Sequence, residues 1–415
     1  MKAKSTAIFV AILMVITGGA AVMILKLSDS SGERVDYKSD EFANDYANRE
    51  VPIPTSLDGG IVTIGRLSTL RWLAYFPYEF ENVIMVDDTM NVEKYGALAY
   101  SHAYGDILSK SLIHSKDSLE DGERIVKLNP SLILVNNTTY ESNVDLCENI
   151  AKMSPLAVID AMAELETEGF WNGEYELHHR FTSQADLYGK LLRNVERAEE
   201  IKVLFQDALY DIRFYCSEST DHTTYIGGAT NQGWNPLTST YNPYLPHALV
   251  GGNNALGDDT NKKRIDLNPE KVGKLSFDRM IIDPATVQPN KEGGDLLVNT
   301  PSQGVLGGIY NGGCKVQLFI ALPMINNGSN WLCVLSSAYH MAALEYGTLT
   351  IEEVREKSNK LFTDFYGEKR GSRVLEGMED YFTGIGKGVH KDLCTTPFSE
   401  VEIVNTPNGY IFKRV

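Results

Sequence analysis

The feature that most constrains this chain is a long helical repeat of apolar residues near its middle. Between Phe181 and Ile212 there is no proline, and only Gly189 interrupts the pattern. The spacing is mostly three or four residues, which is typical of one helix face. It predicts one helix over 181–212, on the order of 45 Å long at ~1.5 Å per residue, which runs along a whole domain rather than sitting inside one. The apolar positions are Leu187, Leu191, Leu192, Val195, Ala198, Ile201, Leu204, Phe205 and Leu209.

Short β-branched runs alternate with helical segments before this repeat. Ile61–Gly65, Val83–Val86 and Leu132–Val135 are predicted to be buried strands, and Glu123–Leu128 is predicted to be a short helix that stops at Asn129-Pro130. Strand–helix–strand alternation indicates an α/β lobe with a largely parallel sheet. We assign this lobe to residues 51–180.

The alternation resumes after the repeat. Thr224–Ile226 and Met280–Ile282 read as strands, and Lys271–Leu275 reads as a helix introduced by Asn268-Pro269. Ile351–Tyr366 is predicted to be a helix, with Thr350 and Glu353 forming a capping box.

These elements define the expected architecture. A chain of 415 residues is too long for one ordinary core. The predicted fold is therefore α/β, with two three-layer lobes joined by one long α-helix. The second lobe covers 213–370, the linker helix 181–212, and a C-terminal extension 371–415.

The N-terminus predicts a membrane segment. Lys2 and Lys4 precede an almost unbroken apolar run over residues 7–25, which as a helix spans about 28 Å of a ~30 Å hydrocarbon core. The positive flank places the following chain outside the cytoplasm. We favour an uncleaved transmembrane anchor within 1–27 over a cleaved signal peptide, for which Gly18–Ala21 offers small residues. Residues 28–50 are polar and are predicted to be a flexible tether.

Composition excludes some functions. The formal charge is −17, from 38 basic and 55 acidic residues, which argues against nucleic-acid binding because phosphate requires a basic surface. No pair of the five cysteines is spaced C-x-x-C, so zinc-ribbon and thioredoxin-type sites are not indicated. One or two disulfides are compatible with an exported protein.

Four segments lie in a characteristic order and spacing around the long apolar repeat. They are Val51–Gly65, Gly122–Val135, Asn268–Ile282 and Leu361–Gly367. Together they resemble the substrate-binding proteins of ABC importers, in the class with a rigid helical linker, whose members serve iron-siderophores, haem and vitamin B12-type corrinoids. The resemblance covers roughly residues 50 to 370. It departs at Ser131, where the family has aspartate, across Gly169–Arg180, and after Gly371.

The resemblance implies a receptor without enzymatic activity and without a cofactor of its own, whose ligand contains iron or cobalt. Its partners would be an ABC permease dimer with its ATPase. Family members dock on the permease through one acidic residue on each lobe, and the matching positions are Glu123 and Glu270. Both also suit a helix N-terminus, which is the structural alternative. The linker helix implies small rocking of the lobes on ligand capture rather than wide closure.

Ligand contacts are expected in the loops that follow the strands. In the first lobe Arg66, Ser68 and Thr69 follow the first strand and offer a cation and hydroxyl donors to an anionic ligand. The alternative is a surface ion pair and a helix cap. The other first-lobe candidates are Tyr104, Lys116, Asn136 and Thr138. Tyr104 could instead pack in the core, and Lys116 could be a solvated surface cation. Asn136 and Asn137 also begin glycosylation acceptor patterns, which would compete with ligand binding, and Asn327 is the favoured acceptor.

A loop rich in glycine, asparagine and aromatic residues supplies the second-lobe candidates. Aromatic side chains in such a loop form a stacking surface for a large planar ligand, or a small core under the loop. The histidines form no H-x-x-H pattern, so protein ligands to a metal are left unassigned. His102 or His247 could reach a bound metal, and the alternative for each is a structural role. The candidates in the loop are Trp234, Tyr241, Tyr244 and His247. Arg264, just before the Asn268-Pro269 helix, is a further candidate, and its alternative is a solvated surface cation.

Two functions follow. The favoured one is a receptor on the outer face of the cytoplasmic membrane that captures a metal chelate (iron-siderophore-like, haem or corrinoid) for an ABC importer. The alternative is a membrane-tethered extracellular enzyme, such as a hydrolase, built on the same two-lobed shell. The sequence has neither a nucleophile elbow nor a phosphate-binding Walker loop.

Overall fold

A computed structural model gives the fold, and the chain divides into two compact units. Unit 1 comprises Met1–Met90, Asp106–Met162 and Ser183–Ala198, and unit 2 comprises Asn91–Gly105, Ala163–Thr182 and Glu199–Val415. The structure describes residues 34–65, 67–87, 96–114, 122–160, 176–217, 219–229, 236–257, 263–284, 288–289, 296–297, 300–312, 315–324, 330–383, 396–407 and 409–415.

Unit 1 is built on a five-stranded sheet in the order β5–β4–β3–β6–β7, and all its pairs are parallel. Every residue of β3, β6 and β7 is buried, as expected for a parallel sheet covered on both faces. The strands predicted in the first lobe are confirmed. The strands up to β7 are β1 (Phe42–Asn44), β2 (Glu50–Pro52), β3 (Ile61–Ile64), β4 (Val83–Asp87), β5 (Leu112–His114), β6 (Leu132–Asn136) and β7 (Leu156–Ile159).

Helices connect the strands of this sheet. Ile125 and Val126 lie on the helix predicted at Glu123–Leu128, and both pack into a core that includes Val62, Ile133 and Val158. Burial of this apolar face fixes the helix against the sheet. The described helices between β3 and β7 are α1 (Leu67–Leu73), α2 (Pro77–Phe80), α3 (Ala99–Leu108), α4 (Gly122–Lys127), α5 (Asn137–Glu141) and α6 (Val144–Ala151).

The segment before β3 is attached to unit 1 over most of the tether predicted at 28–50. Arg34 Nε donates to Asn129 Oδ1 at 2.7 Å. β1 and β2 form an antiparallel hairpin, and Arg49 Nη1 pairs with Glu148 Oε1 at 2.6 Å. The described part of the tether, residues 34–50, is therefore held by specific polar contacts, which its polar composition did not distinguish from a flexible linker.

The predicted linker helix is two helices, α7 (His179–Leu191) and α8 (Val195–Phe214). Arg193 adopts a left-handed φ of 54°, and the Asn194 amide donates to the Gly189 carbonyl at 2.8 Å. Together with the Arg193 amide bond to Lys190, this is a Schellman helix end. Asn194 then caps α8 by accepting from the Arg197 amide at 3.1 Å. The apolar repeat continued through the break, so periodicity alone did not reveal it.

Unit 2 is built on a sheet in the order β16–β15–β14–β11–β8. The pairs of β11 with β8 and β14 are parallel, whereas β15 is antiparallel to β14 and β16. The strands predicted at 224–226 and 280–282 are confirmed as β8 and β11. The strands after α8 are β8 (Thr224–Gly227), β9 (Ser239–Asn242), β10 (Lys263–Asp266), β11 (Arg279–Ile282), β12 (Gln288–Pro289), β13 (Leu296–Leu297), β14 (Gln317–Ile320), β15 (Glu400–Thr406) and β16 (Gly409–Arg414).

The helices of unit 2 show the predicted start signals. Asn268 accepts from the Lys271 amide at 2.7 Å, and Thr350 and Glu353 form the expected capping box. α12 is buried almost all round, which identifies it as a central helix of this unit. The helices are α9 (Leu245–Leu249), α10 (Pro269–Val272), α11 (Thr300–Gly312), α12 (Trp331–Tyr346), α13 (Ile351–Tyr366), α14 (Glu368–Gly371) and α15 (Val374–Thr383).

The segment predicted to be an extension, 371–415, contributes to the core of unit 2. β15 pairs with β14, placing Val401 opposite Leu318, and Phe412 on β16 is fully buried in the same core. α15 likewise buries Met378. These residues complete a sheet and a helical layer that begin elsewhere in the chain, which a linear pattern does not indicate.

The described helices include none that is long and apolar enough to cross a membrane. The predicted membrane segment, residues 7–25, lies outside the described residues. Cys147, Cys216 and Cys333 are free thiols, and burial raises the pKa of Cys147 to about 12. Cys314 and Cys394 lie outside the described residues.

Candidate functional site

Polar side chains gather at the carboxyl ends of the strands in unit 1. Asp87 ends β4 and Asn136 ends β6, while Gly65 follows β3 and Asp160 follows β7. The three polar side chains are buried. Because ligands of open α/β sheets bind outside this edge, we treat it as the candidate site of unit 1.

A hydrogen bond between Asn136 and Gly65 connects the carboxyl ends of β6 and β3. Asn136 Nδ2 donates to the Gly65 carbonyl at 2.5 Å, and its Oδ1 accepts from the Thr139 amide at 2.8 Å as the N-cap of α5. Gly65 has a φ of +102°, and a Cβ there would lie 2.4 Å from Asn136 Cγ. Asn136 therefore fixes the backbone at the ends of β3 and β6. Thr138 is exposed, and its hydroxyl donates to Asn136 Oδ1 at 3.2 Å.

Two buried hydrogen-bond donors at this edge have no hydrogen-bond partner in the described part of the chain. They are the Thr69 hydroxyl on α1 and the Gln184 Nε2 group on α7. Gln184 Oε1 accepts from the Asp160 amide at 3.2 Å, so its orientation is tied to the end of β7. An unmet buried donor is costly in free energy. A ligand oxygen would satisfy such donors.

A buried arginine lies near the same place. The Arg71 side chain on α1 is 6% exposed, and its positive charge acts on the hydroxyl of Tyr188, one helical turn after Gln184. Burial nevertheless raises the pKa of Tyr188 well above its ordinary value. The Tyr188 hydroxyl donates to the Thr69 carbonyl at 2.9 Å. α1 and α7 therefore bring a cation and the two donors to one side of unit 1.

Unit 2 presents a comparable group at its own carboxyl edge. Asp283 follows β11, and its amide donates to the Gly227 carbonyl at the end of β8 at 3.0 Å. Tyr244 is 1% exposed, and its hydroxyl has no hydrogen-bond partner among the described residues. Burial raises the pKa of Tyr244, and the negative charge of Asp283 raises it further. Tyr244 thus offers a neutral hydroxyl donor.

His247 lies in a different place from the one expected. Its Nε2 is 3.1 Å from Glu345 Oε1, and both side chains are buried. The same carboxylate oxygen accepts from the Thr224 hydroxyl at 2.7 Å, and Thr224 is the first residue of β8. His247 therefore belongs to a buried network at the amino end of the sheet, and this position favours a structural role.

Tyr241 and Arg264 face each other in register on the β9–β10 hairpin. Arg264 Nε donates to Ser239 Oγ at 2.8 Å and its Nη2 to Asp266 Oδ1 at 2.9 Å. The Arg264 guanidinium is therefore hydrogen-bonded within the β9–β10 hairpin. Tyr104, also predicted to meet the ligand, is fully buried against Tyr366 at a ring distance of 5.7 Å.

The two predicted docking residues each lie in the first turn of a short helix. Glu123 is half-buried on α4 and lies 4.0 Å from Lys127 Nζ. Glu270 is exposed on α10. Both placements are compatible with a docking role and with the helix-dipole alternative.

Several predicted contacts fall outside the described residues. These are Arg66, Lys116 and Trp234, together with the side chain of Ser68. Within the described ranges there is no cluster of three or more histidine, cysteine, aspartate or glutamate side chains that would hold a metal ion.

The sequence interpretation missed Arg71, Gln184 and Asp283. Gln184 gave a signal, because it is a polar residue on the buried face of a helix that also presents Phe181, Ala185 and Tyr188. Arg71 gave none, since an arginine on a short helix is usually solvent-exposed.

The comparisons with known proteins agree with this geometry at the level of the fold. No protein-family model matches the chain, and a search of curated proteins gives no match. A periplasmic solute-binding protein from Veillonella parvula aligns over 79% of this chain and 92% of its own, with 14% identity and a TM-score of 0.55. The molybdate periplasmic binding protein MolA of a Haemophilus influenzae ABC transporter, bound to molybdate, aligns over 80% and 98%, with 13% identity and a TM-score of 0.52.

This chain therefore has the fold of the periplasmic solute-binding proteins. The resemblance carried by the four sequence segments is confirmed at that level.

Proposed function

We propose that the chain is an extracytoplasmic solute-binding receptor that captures a metal chelate and delivers it to an ABC permease dimer with its ATPase. The chelate would be an iron-siderophore, haem or a corrinoid. Residues 7–25 would anchor the receptor to the outer face of the cytoplasmic membrane, and Glu123 and Glu270 would contact the permease.

One observation carries the binding part of this proposal. On a fold shared with solute-binding proteins, the carboxyl edge of each sheet holds a buried hydroxyl without a hydrogen-bond partner in the described residues, Thr69 in unit 1 and Tyr244 in unit 2. Buried polar groups are nearly always hydrogen-bonded. Buried hydroxyls without a hydrogen-bond partner, at the edge where ligands bind, are best explained as donors to ligand atoms.

The chemistry of unit 1 favours a ligand with anionic oxygens. Thr69 and Gln184 supply neutral donors, and Arg71 supplies a buried positive charge. Charge-assisted hydrogen bonds to anionic oxygens are stronger than neutral ones. Carboxylate and catecholate oxygens of a metal chelate meet this requirement, and the predicted contacts Arg66 and Lys116 would add to it.

The first experiment identifies the ligand. The full chain is purified and examined by native mass spectrometry and visible absorption. It is then melted with haemin, cyanocobalamin, a ferric triscatecholate and molybdate in turn. A rise in melting temperature with one of the first three supports a chelate receptor. Stabilisation by molybdate alone would replace the chelate with an oxyanion, and turnover of a substrate without such binding would overturn the receptor.

The second experiment tests the site with paired variants. Thr69→Val removes a hydroxyl without a partner, so the melting temperature should stay the same or rise, while affinity for the stabilising chelate should fall about tenfold or more. Thr224→Val is the matched control, because its hydroxyl donates to buried Glu345. It should lower the melting temperature and leave affinity unchanged. Equal affinity of Thr69→Val and the unmodified protein would remove Thr69 from the site.

A further inference from the structure

The connection between β4 and β5 passes from one unit into the other. Both strands belong to the sheet of unit 1, but Asn91–Gly105 belongs to unit 2. The chain returns to unit 1 within helix α3, because the last three residues of that helix, Asp106–Leu108, belong to unit 1. We refer to the described part of this excursion, Gly96–Gly105, as the strap.

The helix in the strap is broken close to the point of return. Tyr104 has φ −120° and ψ 20°, outside helical values. The carbonyl of Ala103 accepts from Arg373 Nη2 at 2.7 Å and from Arg370 Nη1 at 3.2 Å. Side chains that bond to backbone groups at a break in the helical ladder are a recognised cause of kinks. The two arginines thus hold the strap at its kink.

Aromatic contacts surround the same point. Tyr104 is fully buried, with the Arg370 guanidinium 5.0 Å from its ring centre and the Tyr366 ring edge-on at 5.7 Å. Arg370 therefore combines a cation–π contact with its hydrogen bond. All three residues, and the Ala103 carbonyl, lie in unit 2.

Two glycines allow the C-terminal helix α15 to approach the strap closely. A Cβ on Gly377 would lie 2.6 Å from His102 Nδ1, and one on Gly96 would lie 2.1 Å from Tyr381 Cδ2. His102 Nε2 in turn lies 2.7 Å from the Gly96 carbonyl. Any larger side chain at either glycine would push the strap and α15 apart.

We propose that residues 366–381, which we call the clamp, restrain the movement of unit 1 relative to unit 2 by holding the strap. The clamp grips Ala103 and Tyr104, and the chain re-enters unit 1 at Asp106 within the same helix. A force on unit 1 is therefore transmitted to the clamp through a short stretch of backbone. This gives residues beyond Gly371, which lie outside the family resemblance, a role as positioning residues. The inference requires no ligand, so it stands apart from the proposed function.

The test uses the full chain without added ligand. The double variant Arg370→Met, Arg373→Met removes both donors and keeps apolar stems. Glu379→Gln is the matched control, because Glu379 is on α15 but pairs with Arg355 on α13 rather than with the strap. Hydrogen exchange reports the strap through the amides of 99–108. Spin labels on p-acetylphenylalanine at exposed Tyr78 in unit 1 and Tyr310 in unit 2 report the distance distribution between the units.

In the double variant, exchange over 99–108 should accelerate about tenfold or more, and the distance distribution should broaden. The control should change neither. Unchanged exchange would show that the clamp does not hold the strap, and faster exchange with an unchanged distribution would show that the strap does not restrain the units. Either result overturns the inference. If the double variant does not fold, Gly377→Ala, which acts through His102 alone, is held to the same two readouts.

Discussion

Replacing His340 with leucine tests whether a buried imidazole makes unit 2 sensitive to acid. His340 lies on α12 and is fully buried, and neither ring nitrogen has a hydrogen-bond partner among the described residues. Its neighbours include the rings of Phe319 at 6.2 Å and Phe398 at 5.1 Å. Burial in these surroundings lowers the pKa of His340 from 6.5 to about 3. Protonation of the ring is therefore coupled to unfolding.

The size of the effect follows from the two pKa values. Above pH 6.5 the imidazole is neutral in both states and contributes no pH dependence. Between pH 6.5 and about 3 only the unfolded chain takes up the proton, so stability falls as the pH falls. From pH 7.5 to pH 5.0 the loss is about 2 kcal/mol. The leucine variant should lack this part of the loss. It should also be at least as stable at pH 7.5, since it no longer buries an unpaired polar group.

The assay is urea denaturation followed by tryptophan fluorescence at pH 7.5, 6.5, 5.5 and 5.0. The difference between His340→Leu and the unmodified protein at each pH removes the contribution of other titrating groups. That difference should grow by about 2 kcal/mol over the series in favour of the variant.

A difference that stays constant for His340→Leu would refute the reasoning. It would mean that the folded protein admits the proton at His340, which requires a charge partner or water that a dry aromatic site does not supply.

Three further predictions concern local features. Gly65→Ala should lower the free energy of unfolding by about 2–4 kcal/mol, because it combines a positive φ with a clash against Asn136; an unchanged urea midpoint would contradict this. Asn194→Ala should cost about 1 kcal/mol or more, because it removes the cap of α8 and the bond that Asn194 Nδ2 donates to Glu79 Oε1 at 2.7 Å, and Asn194→Ser, which can still cap without placing a carboxylate beside Glu79, should recover the capping part. Asp278→Asn should flatten the acid limb below pH 4. The hydrogen bond from His222 helps lower the pKa of Asp278, so its stabilising effect is present above pH 3.8 and is lost as the pH falls through the folded-state pKa.

Much of the fold could be predicted because local signals agreed with the tertiary arrangement. The buried strands of the first lobe are continuous apolar runs, and Asn268 and Thr350 are cap residues whose bonds are formed within a few positions. Such elements require little information from distant parts of the chain.

The break at Arg193–Asn194 shows where this reasoning failed. The apolar face continues on both sides, so the period predicted one helix. The Schellman end and the new cap at Asn194 depend on a single left-handed residue, and Arg193 is an uncommon residue type in that conformation. The local signal for the break was Asn194, because asparagine is a preferred N-cap residue.

The sequence by itself determined the α/β class, the strand and helix starts, and the resemblance to binding proteins, because these rest on periodicity and short-range hydrogen bonds. Only the tertiary structure decided which polar residues meet. It placed Gln184 beside the end of β7, moved His247 into a buried pair with Glu345, and joined residues 366–381 to a strap more than 250 positions earlier. The physical reason is that burial and pairing are properties of residues distant in sequence, and no local pattern records them.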